Sequence, residues 1–235
     1  MKANNKKIAI VQSNYIPWKG YFDLISGVDE FILFDDVQYT KRDWRNRNKI
    51  KTKNGLAWLT IPVQVKDKYY QKISETQTAD KNWAKKHWTT IKHNYSQACA
   101  YNENKDLFEN LYLTMDERYL SKINYRFLTV IMDILGIKTK LTWSHDYKLV
   151  EDKTERLVSL CEQVGATEYI SGPAAKEYIK EDIFKEANIK FSWMDYSGYR
   201  EYRQLYPPFE HAVSIIDLIF NTGQNARAYL SRTGS

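Results

Sequence analysis

Apolar and polar positions divide the first 35 residues into a strand, a helix and a second strand. Residues 8–11 form a continuous apolar run, which is typical of a buried strand in a parallel sheet. A helix is predicted over residues 17–26, because a proline suits its first turn and Gly27 follows its last apolar positions. Residues 30–34, Glu-Phe-Ile-Leu-Phe, are predicted to form a second strand. The pattern therefore predicts a β-α-β unit, with two aspartates directly after its second strand.

The rest of the chain continues with elements of the same two kinds. From Trp83 apolar side chains recur at helical spacing, and residues 83–135 are predicted to form a helical insertion. The further strands predicted are residues 58–63, 140–143, 168–171 and 190–194. The individual helices predicted are residues 107–113, 119–135, 154–164, 174–180, 183–187 and 212–221. This alternation favours a mostly parallel, Rossmann-like sheet flanked by helices, so we predict a single α/β domain over residues 1–235.

The net charge and the cysteines indicate which partners and which cellular compartment to expect. The formal net charge of +6 favours anionic partners such as phosphates and nucleotides. Cys99 and Cys161 have no metal-type spacing and are expected to be free thiols in a reducing cytoplasm. Residues 1–7 are polar, unlike a signal peptide, and no apolar run approaches the roughly 18 residues of a membrane span. We expect a soluble, cytoplasmic protein with no membrane span.

The first candidate site follows the first strand. Ligands of open parallel sheets bind beyond the carboxyl ends of the strands, and here the chain runs from that end into a helix whose free N–H groups favour an anion. Gly20 would allow a helix or a ligand to approach closely. The candidate binding residues are Gln12, Asn14, Tyr15, Trp18, Lys19 and Gly20. The alternative is a strand-to-helix connection held by aromatic packing.

The second candidate site is the polar, basic segment after the second strand. Asp35 and Asp36 can orient a substrate, act as a base or hold Mg²⁺ together with a phosphate, and both are candidate catalytic residues. Arginines offer bidentate donors to phosphate, and a tryptophan or tyrosine can stack on a sugar or base. The candidate binding residues are Tyr39, Arg42, Trp44, Arg45, Asn46 and Arg47. The alternative is a solvated charged face.

Two weaker signals follow later strands. Ser171 and Gly172 lie between a predicted strand and helix, where they resemble a phosphate or carboxylate nest, with Lys176 in the first helical turns. A plain turn is the alternative. His145 follows a strand end and is a candidate catalytic residue. The histidines have no metal-ligand spacing, so no metal site is predicted apart from the Mg²⁺ that the aspartates could hold.

These segments resemble the WbqC-like family, which is named after a protein encoded with bacterial O-antigen genes. The resemblance lies in residues 8–12 with Tyr15, Pro17 and residues 20–22, in residues 34–39 with Arg42, Trp44, Asn46 and Arg47, and in residues 58–62, 169–176, 206–207, 214–217, 221 and 223. It implies a setting in surface polysaccharide or nucleotide-sugar biosynthesis. The implied function is a transferase that moves an acyl or aminoacyl group to a nucleotide-linked amino sugar, with a carrier protein or CoA thioester as the acyl donor.

Three other hypotheses stay open. The first strand–turn–helix distantly resembles nucleotidylyltransferases of the HIGH type, although both histidines of that element are missing here. Lys19 and the arginines could supply charge instead, in an enzyme that activates a small acid or phosphate. A nucleic-acid-binding module is disfavoured by the acidic pair beside the basic segment, so no nucleic acid partner is predicted. An assembly factor is the last alternative, and no oligomeric state is indicated.

Overall fold

The structure is a computed structural model that describes residues 5–230, so residues 1–4, on which part of the N-terminal expectation falls, and 231–235 lie outside it. Its main sheet has five parallel strands in the order β5-β2-β1-β6-β7. They are β1 (Lys7–Val11), β2 (Glu30–Leu33), β5 (Lys140–Trp143), β6 (Glu168–Ser171) and β7 (Lys190–Trp193). The chain builds outward from β1 in both directions, so the strand order reverses between β1 and β6. The predicted Rossmann-like sheet is confirmed.

Helices cover both sides of this sheet. The predicted helical region consists of α2 (Trp83–Tyr95), α3 (Tyr101–Leu113) and α4 (Leu120–Ile134); the remaining helices are α1 (Lys19–Ser26), α5 (Lys153–Gln163), α6 (Glu181–Glu186) and α7 (Ile215–Thr222). Residues predicted as a helix at 174–180 form a short 3₁₀ turn, Pro173–Glu177, instead. Among residues 5–230, none of the helices has the length and apolarity that a membrane crossing requires.

A two-stranded hairpin is separate from the main sheet, and its first strand was not predicted from the sequence. The hairpin pairs β3 (Arg47–Thr52) with β4 (Gly55–Thr60) in antiparallel register. The sequence of β3 is basic, yet Asn48, Ile50 and Lys51 are buried, while Arg47 and Lys49 are half-buried. The strand predicted at residues 58–63 therefore lies earlier, because the turn closes at Gly55, whose φ of +103° favours glycine.

The two faces of the sheet bury separate apolar clusters, as the alternation of side chains along a strand requires. Ala9 and Phe31 face the larger cluster, which the helical insertion and the hairpin complete. Ile8, Ile10 and Ile32 face a smaller cluster under α5 and α6. Burial on both faces explains why β1 and β2 read as continuous apolar runs.

The amino edge of the sheet, where its strands begin, is a row of charges whose sign alternates from strand to strand. Across the sheet these residues are Lys140, Glu30, Lys6 with Lys7, Glu168 and Lys190. Their N–O distances are 3.1 Å for Lys140–Glu30, 2.7 Å for Lys6–Glu30, 3.8 Å for Lys7–Glu168 and 3.2 Å for Lys190–Glu168. Burial alone would raise the pKa of Glu30, but hydrogen bonds from Lys6, Tyr147 and Lys140 lower it to about 2.

Candidate functional site

The segments that follow three neighbouring strands meet in one cavity of about 840 Å³. We call these segments the strand exits. Gln12 and Asn14 come from the exit of β1, Asp36 from that of β2, and Ser171 with Gly172 from that of β6. The cavity lies at the carboxyl edge of the sheet, where the strand order reverses. This is the position at which open α/β sheets bind their ligands.

The loop between β1 and α1 is held in an uncommon conformation beside this cavity. Ile16 has a φ of +37°, which is rare for a β-branched residue. The Asn48 amide on β3 donates to the carbonyls of Tyr15, at 3.1 Å, and Ile16, at 3.0 Å. The amide N–H of Tyr15 donates to the carbonyl of Trp44 at 3.0 Å. The hairpin and the segment before it therefore fix the exit of β1.

Asp36 is the aspartate that faces the cavity. Its Oδ2 accepts a hydrogen bond of 2.7 Å from Ser144, and Lys72 Nζ lies 3.6 Å from its Oδ1. His145 Nδ1 lies 3.6 Å from Oδ2, and its half-exposed ring stacks on Trp143 with centroids 5.7 Å apart. Two of the three predicted catalytic residues are thus neighbours, although His145 lies beside the cavity and outside its lining.

Asp35 points away from the cavity into the protein. Its fully buried carboxylate accepts the amide N–H of Ser13 at 2.8 Å and the hydroxyl of Ser121 on α4. Burial raises the pKa of Asp35, and the bonds from Ser121 and Ser13 oppose that rise. Adjacent residues of an extended chain point to opposite sides, so the two aspartates do not form the shared Mg²⁺ site that their adjacency suggested. Within residues 5–230 no cluster of three or more His, Cys, Asp or Glu could hold a metal ion.

Three cationic side chains line the cavity, of which the sequence identified one. Arg45 donates to Asn14 Oδ1, so the exits of β1 and β2 are joined at this point. Lys153 and Arg156 come from the start of α5, about a hundred residues later. Arg156 is oriented by hydrogen bonds to the carbonyls of Val150 and Glu151. With Asp36 and Glu151 as the acidic groups of the lining, the cations are in excess and favour an anion.

Aromatic side chains form much of the remaining lining. They are Tyr21, Phe34, Trp18, Trp44, Tyr169, Tyr178 and Tyr196. Trp18 packs edge-on against Tyr196, with centroids 5.2 Å apart. A Cβ on Gly20 would lie 2.3 Å from the indole of Trp18, so Gly20 makes room for that ring rather than for a ligand. Burial and the nearby Asp23 raise the pKa of Tyr196 to about 12, so its hydroxyl stays a proton donor at neutral pH.

Four residues predicted to bind substrate lie in the protein interior instead. Tyr15 is fully buried and bonds His87 and Tyr112 at 2.9 Å and 2.7 Å. Lys19 donates to the carbonyl of Arg200 at 2.8 Å, and burial lowers its pKa to about 8. Tyr39 and Asn46 are also buried, outside the cavity lining. The residue type at a position beside a strand end does not indicate whether the side chain points into the cavity or into the protein interior.

Three other predicted cations turn away from the cavity. Arg42 is exposed, with a φ of +60°. The Arg47 guanidinium donates to the carbonyl of Arg42 and lies over the ring of Trp58. Lys176 is exposed and sits 5.5 Å from the ring centroid of Trp193. The basic segment is therefore not one phosphate clamp, since Arg45 is its one arginine in the lining.

Comparison with known proteins places the chain in a family. Residues 12–229 match the WbqC-like protein family. The chain belongs to the WbqC-like family. The uncharacterized protein Rv1507c of Mycobacterium tuberculosis (strain ATCC 25618 / H37Rv) is 56% identical to it over 225 residues, which are 96% of this chain and 97% of that protein. No solved structure matches the chain. The match to the WbqC-like family includes the exits of β1, β2 and β6, so the cavity lies within the family's shared region.

Proposed function

We propose that this protein is a transferase of bacterial surface polysaccharide biosynthesis, in which it moves an acyl or aminoacyl group onto the amine of a nucleotide-linked amino sugar. One observation carries the proposal. Three strand exits meet at the reversal point of the sheet, in a cavity that combines Arg45, Asp36 and aromatic side chains. Family membership supports the setting, since the WbqC-like family takes its name from O-antigen genes.

The lining divides into groups suited to the parts of such a substrate. Arg45 lies near Asn14 and Asp43 and can donate to a phosphate that enters the cavity, while Lys153 and Arg156 add positive charge to the lining. Trp18 and Tyr196 offer ring faces and edges to a sugar. A cavity of about 840 Å³ is within the range that encloses a small-molecule ligand.

The reaction needs one proton acceptor and close positioning of two reactants. The sugar amine attacks the carbonyl carbon of a CoA or carrier-protein thioester. A C–N bond forms, the C–S bond breaks, and the electron pair leaves on sulfur as a thiolate. Asp36 takes the proton of the amine, and His145 at 3.6 Å can pass it to the thiolate or to solvent. Holding both reactants in place contributes about 7–11 kcal/mol in favourable cases.

Two measurements test this function. Calorimetric titration with UDP- and dTDP-linked amino sugars should show binding, and a thiol-detecting dye should report thiol release when an acyl-CoA is added. Absence of binding by every nucleotide sugar tried would refute the proposal. The HIGH-like alternative predicts pyrophosphate release from ATP with a panel of small acids. It has lost support, because the Lys19 ammonium that it would use bonds the carbonyl of Arg200 outside the cavity lining.

A further inference from the structure

Three side chains pack in a row of contacts, which we call the stack, at the rim of the cavity. The Arg47 guanidinium carbon lies 4.1 Å from the ring centroid of Trp58. The Trp58 ring in turn lies 5.5 Å from that of Trp44, with the planes inclined by 37°. Lys49 Nζ is within 6 Å of both rings, at 5.2 Å and 5.9 Å. Trp44 ends the stack and belongs to the cavity lining, whereas Trp58, Arg47 and Lys49 do not.

This stack is not part of the apolar core. Trp44 and Trp58 are 41% and 43% exposed, so both indole rings lie partly in water. The backbone of Trp44 is nevertheless fixed, because its N–H donates to Asp43 at 2.7 Å and its carbonyl accepts the N–H of Tyr15 at 3.0 Å. An exposed indole on a fixed backbone, in contact with a second indole, is organised to receive a flat ligand before that ligand arrives.

We propose that Trp44 is the shelf on which the nucleobase of the substrate stacks. This inference rests on the proposed function and assigns one part of its substrate to one side chain. A base on Trp44 would extend the row of contacts that joins Arg47, Trp58 and Trp44, and every base offers a ring face for stacking. Arg45, the next residue, lines the same cavity and can bind the phosphate that the ribose joins to that base. The cations near the two indoles are attracted to the ring faces and help to hold the rings in place.

The test compares a variant of Trp44 with a control variant on the neighbouring hairpin, outside the cavity lining. Trp44→Ala should bind UDP and ADP about 5- to 150-fold more weakly than wild type, the range that loss of one stacked base gives. Trp44→Phe should recover most of that loss. Leu56→Ala removes a side chain on β4 that is 45% exposed and outside the cavity lining, and should change the affinity less than about twofold. All variants should match the thermal midpoint of wild type by circular dichroism.

Inorganic diphosphate and a free amino sugar serve as probes without a base. Trp44→Ala should bind both as wild type does. UDP affinity unchanged in Trp44→Ala would overturn the shelf while leaving the transferase proposal intact, and so would an equal loss of affinity for diphosphate. A free amino sugar that binds through Trp44 would also overturn the assignment to a base. If wild type binds UDP and loses it in Trp44→Ala but releases no thiol with any donor, the shelf is supported and the transferase reaction fails.

Discussion

The two edges of the main sheet both carry charged residues, but they use them differently. At the amino edge Glu30 is 1% exposed and accepts from Lys6, Lys140, Thr142 and Tyr147, so this buried charge has several partners within the protein. At the carboxyl edge, Arg45 and Asp36 line a cavity. The number of charged residues at an edge does not indicate whether that edge has a structural or a functional role. Asp36 and Arg45 also have partners, so what separates the two edges is whether the charged groups are enclosed by the protein or line a cavity.

The largest loss of stability is expected at the amino edge. Glu30→Ala removes the carboxylate that accepts from Lys6, Thr142 and Tyr147, and removing one partner of a buried charged network costs about 3–5 kcal/mol. Urea unfolding measures this free energy. Asp36→Asn at the other edge retains an acceptor for Ser144 and should change it by less than about 1 kcal/mol. Equal losses in the two variants would mean that the two edges do not differ.

Substitutions of the two adjacent aspartates should have different effects, one on turnover and the other on stability. Asp36→Asn should lower turnover about 10²–10⁴-fold, the usual contribution of a general base, while nucleotide-sugar binding persists. Asp35→Ala should instead lower stability by about 1–3 kcal/mol, because Ser13 and Ser121 lose a buried acceptor. Thiol release and urea unfolding measure the two effects. Unfolding of Asp36→Asn would show that its carboxylate is structural.

The amino edge also predicts how acid weakens the fold. The folded pKa of Glu30 is about 2, below its ordinary value of 4.5, so its ion pairs stabilise the protein fully above about pH 4.5. That contribution is lost as the pH falls from about 4.5 towards 2. Glu30→Gln has no such proton to bind, so its unfolding free energy should fall less steeply over this interval. Parallel pH dependences for Glu30→Gln and wild type would remove Glu30 as a source of acid sensitivity.

The smallest effects are expected for substitutions in the basic segment, where Arg45 points into the cavity and Arg42 points away from it. Arg45→Ala should weaken UDP binding about 10- to 150-fold, as loss of a charge-assisted hydrogen bond to phosphate does. Arg42→Ala should change it less than about twofold, because Arg42 lies exposed outside the cavity lining. Calorimetry at one fixed salt concentration compares them. Similar losses in both would indicate diffuse charge attraction rather than a contact at Arg45.

Much of the fold follows from short apolar runs, because β1 and β2 are buried on both faces and have few polar letters to obscure them. β3 was missed because its outward cations hide the alternating buried positions Asn48 and Ile50. The opposite directions of Asp35 and Asp36 could have been predicted from the alternation of side chains along a strand. Asp35 lies two and four residues after Leu33 and Phe31, which face the helical insertion, so its side chain is expected on the same side. The sequence placed the cavity at the correct edge by topology alone.

The rest of the candidate site depends on contacts between segments that are far apart in the sequence, and local sequence patterns do not predict such contacts. Lys153 and Arg156 reach the cavity from α5, and no spacing links them to residue 12 or 36. Tyr15 lies in the loop that Asn48 of the hairpin holds in place, and Lys19 begins the helix that follows this loop. The direction of Tyr15 therefore depends on a contact between segments about thirty residues apart.

The alternating charges of the amino edge also specify which strand lies beside which. The order β5-β2-β1-β6-β7 gives the signs plus, minus, plus, minus, plus. Exchange of any two adjacent strands would set like charges side by side, at a cost of about 0.2–1 kcal/mol for each such pair. The six charged residues of this edge thus disfavour every exchange of two neighbouring strands.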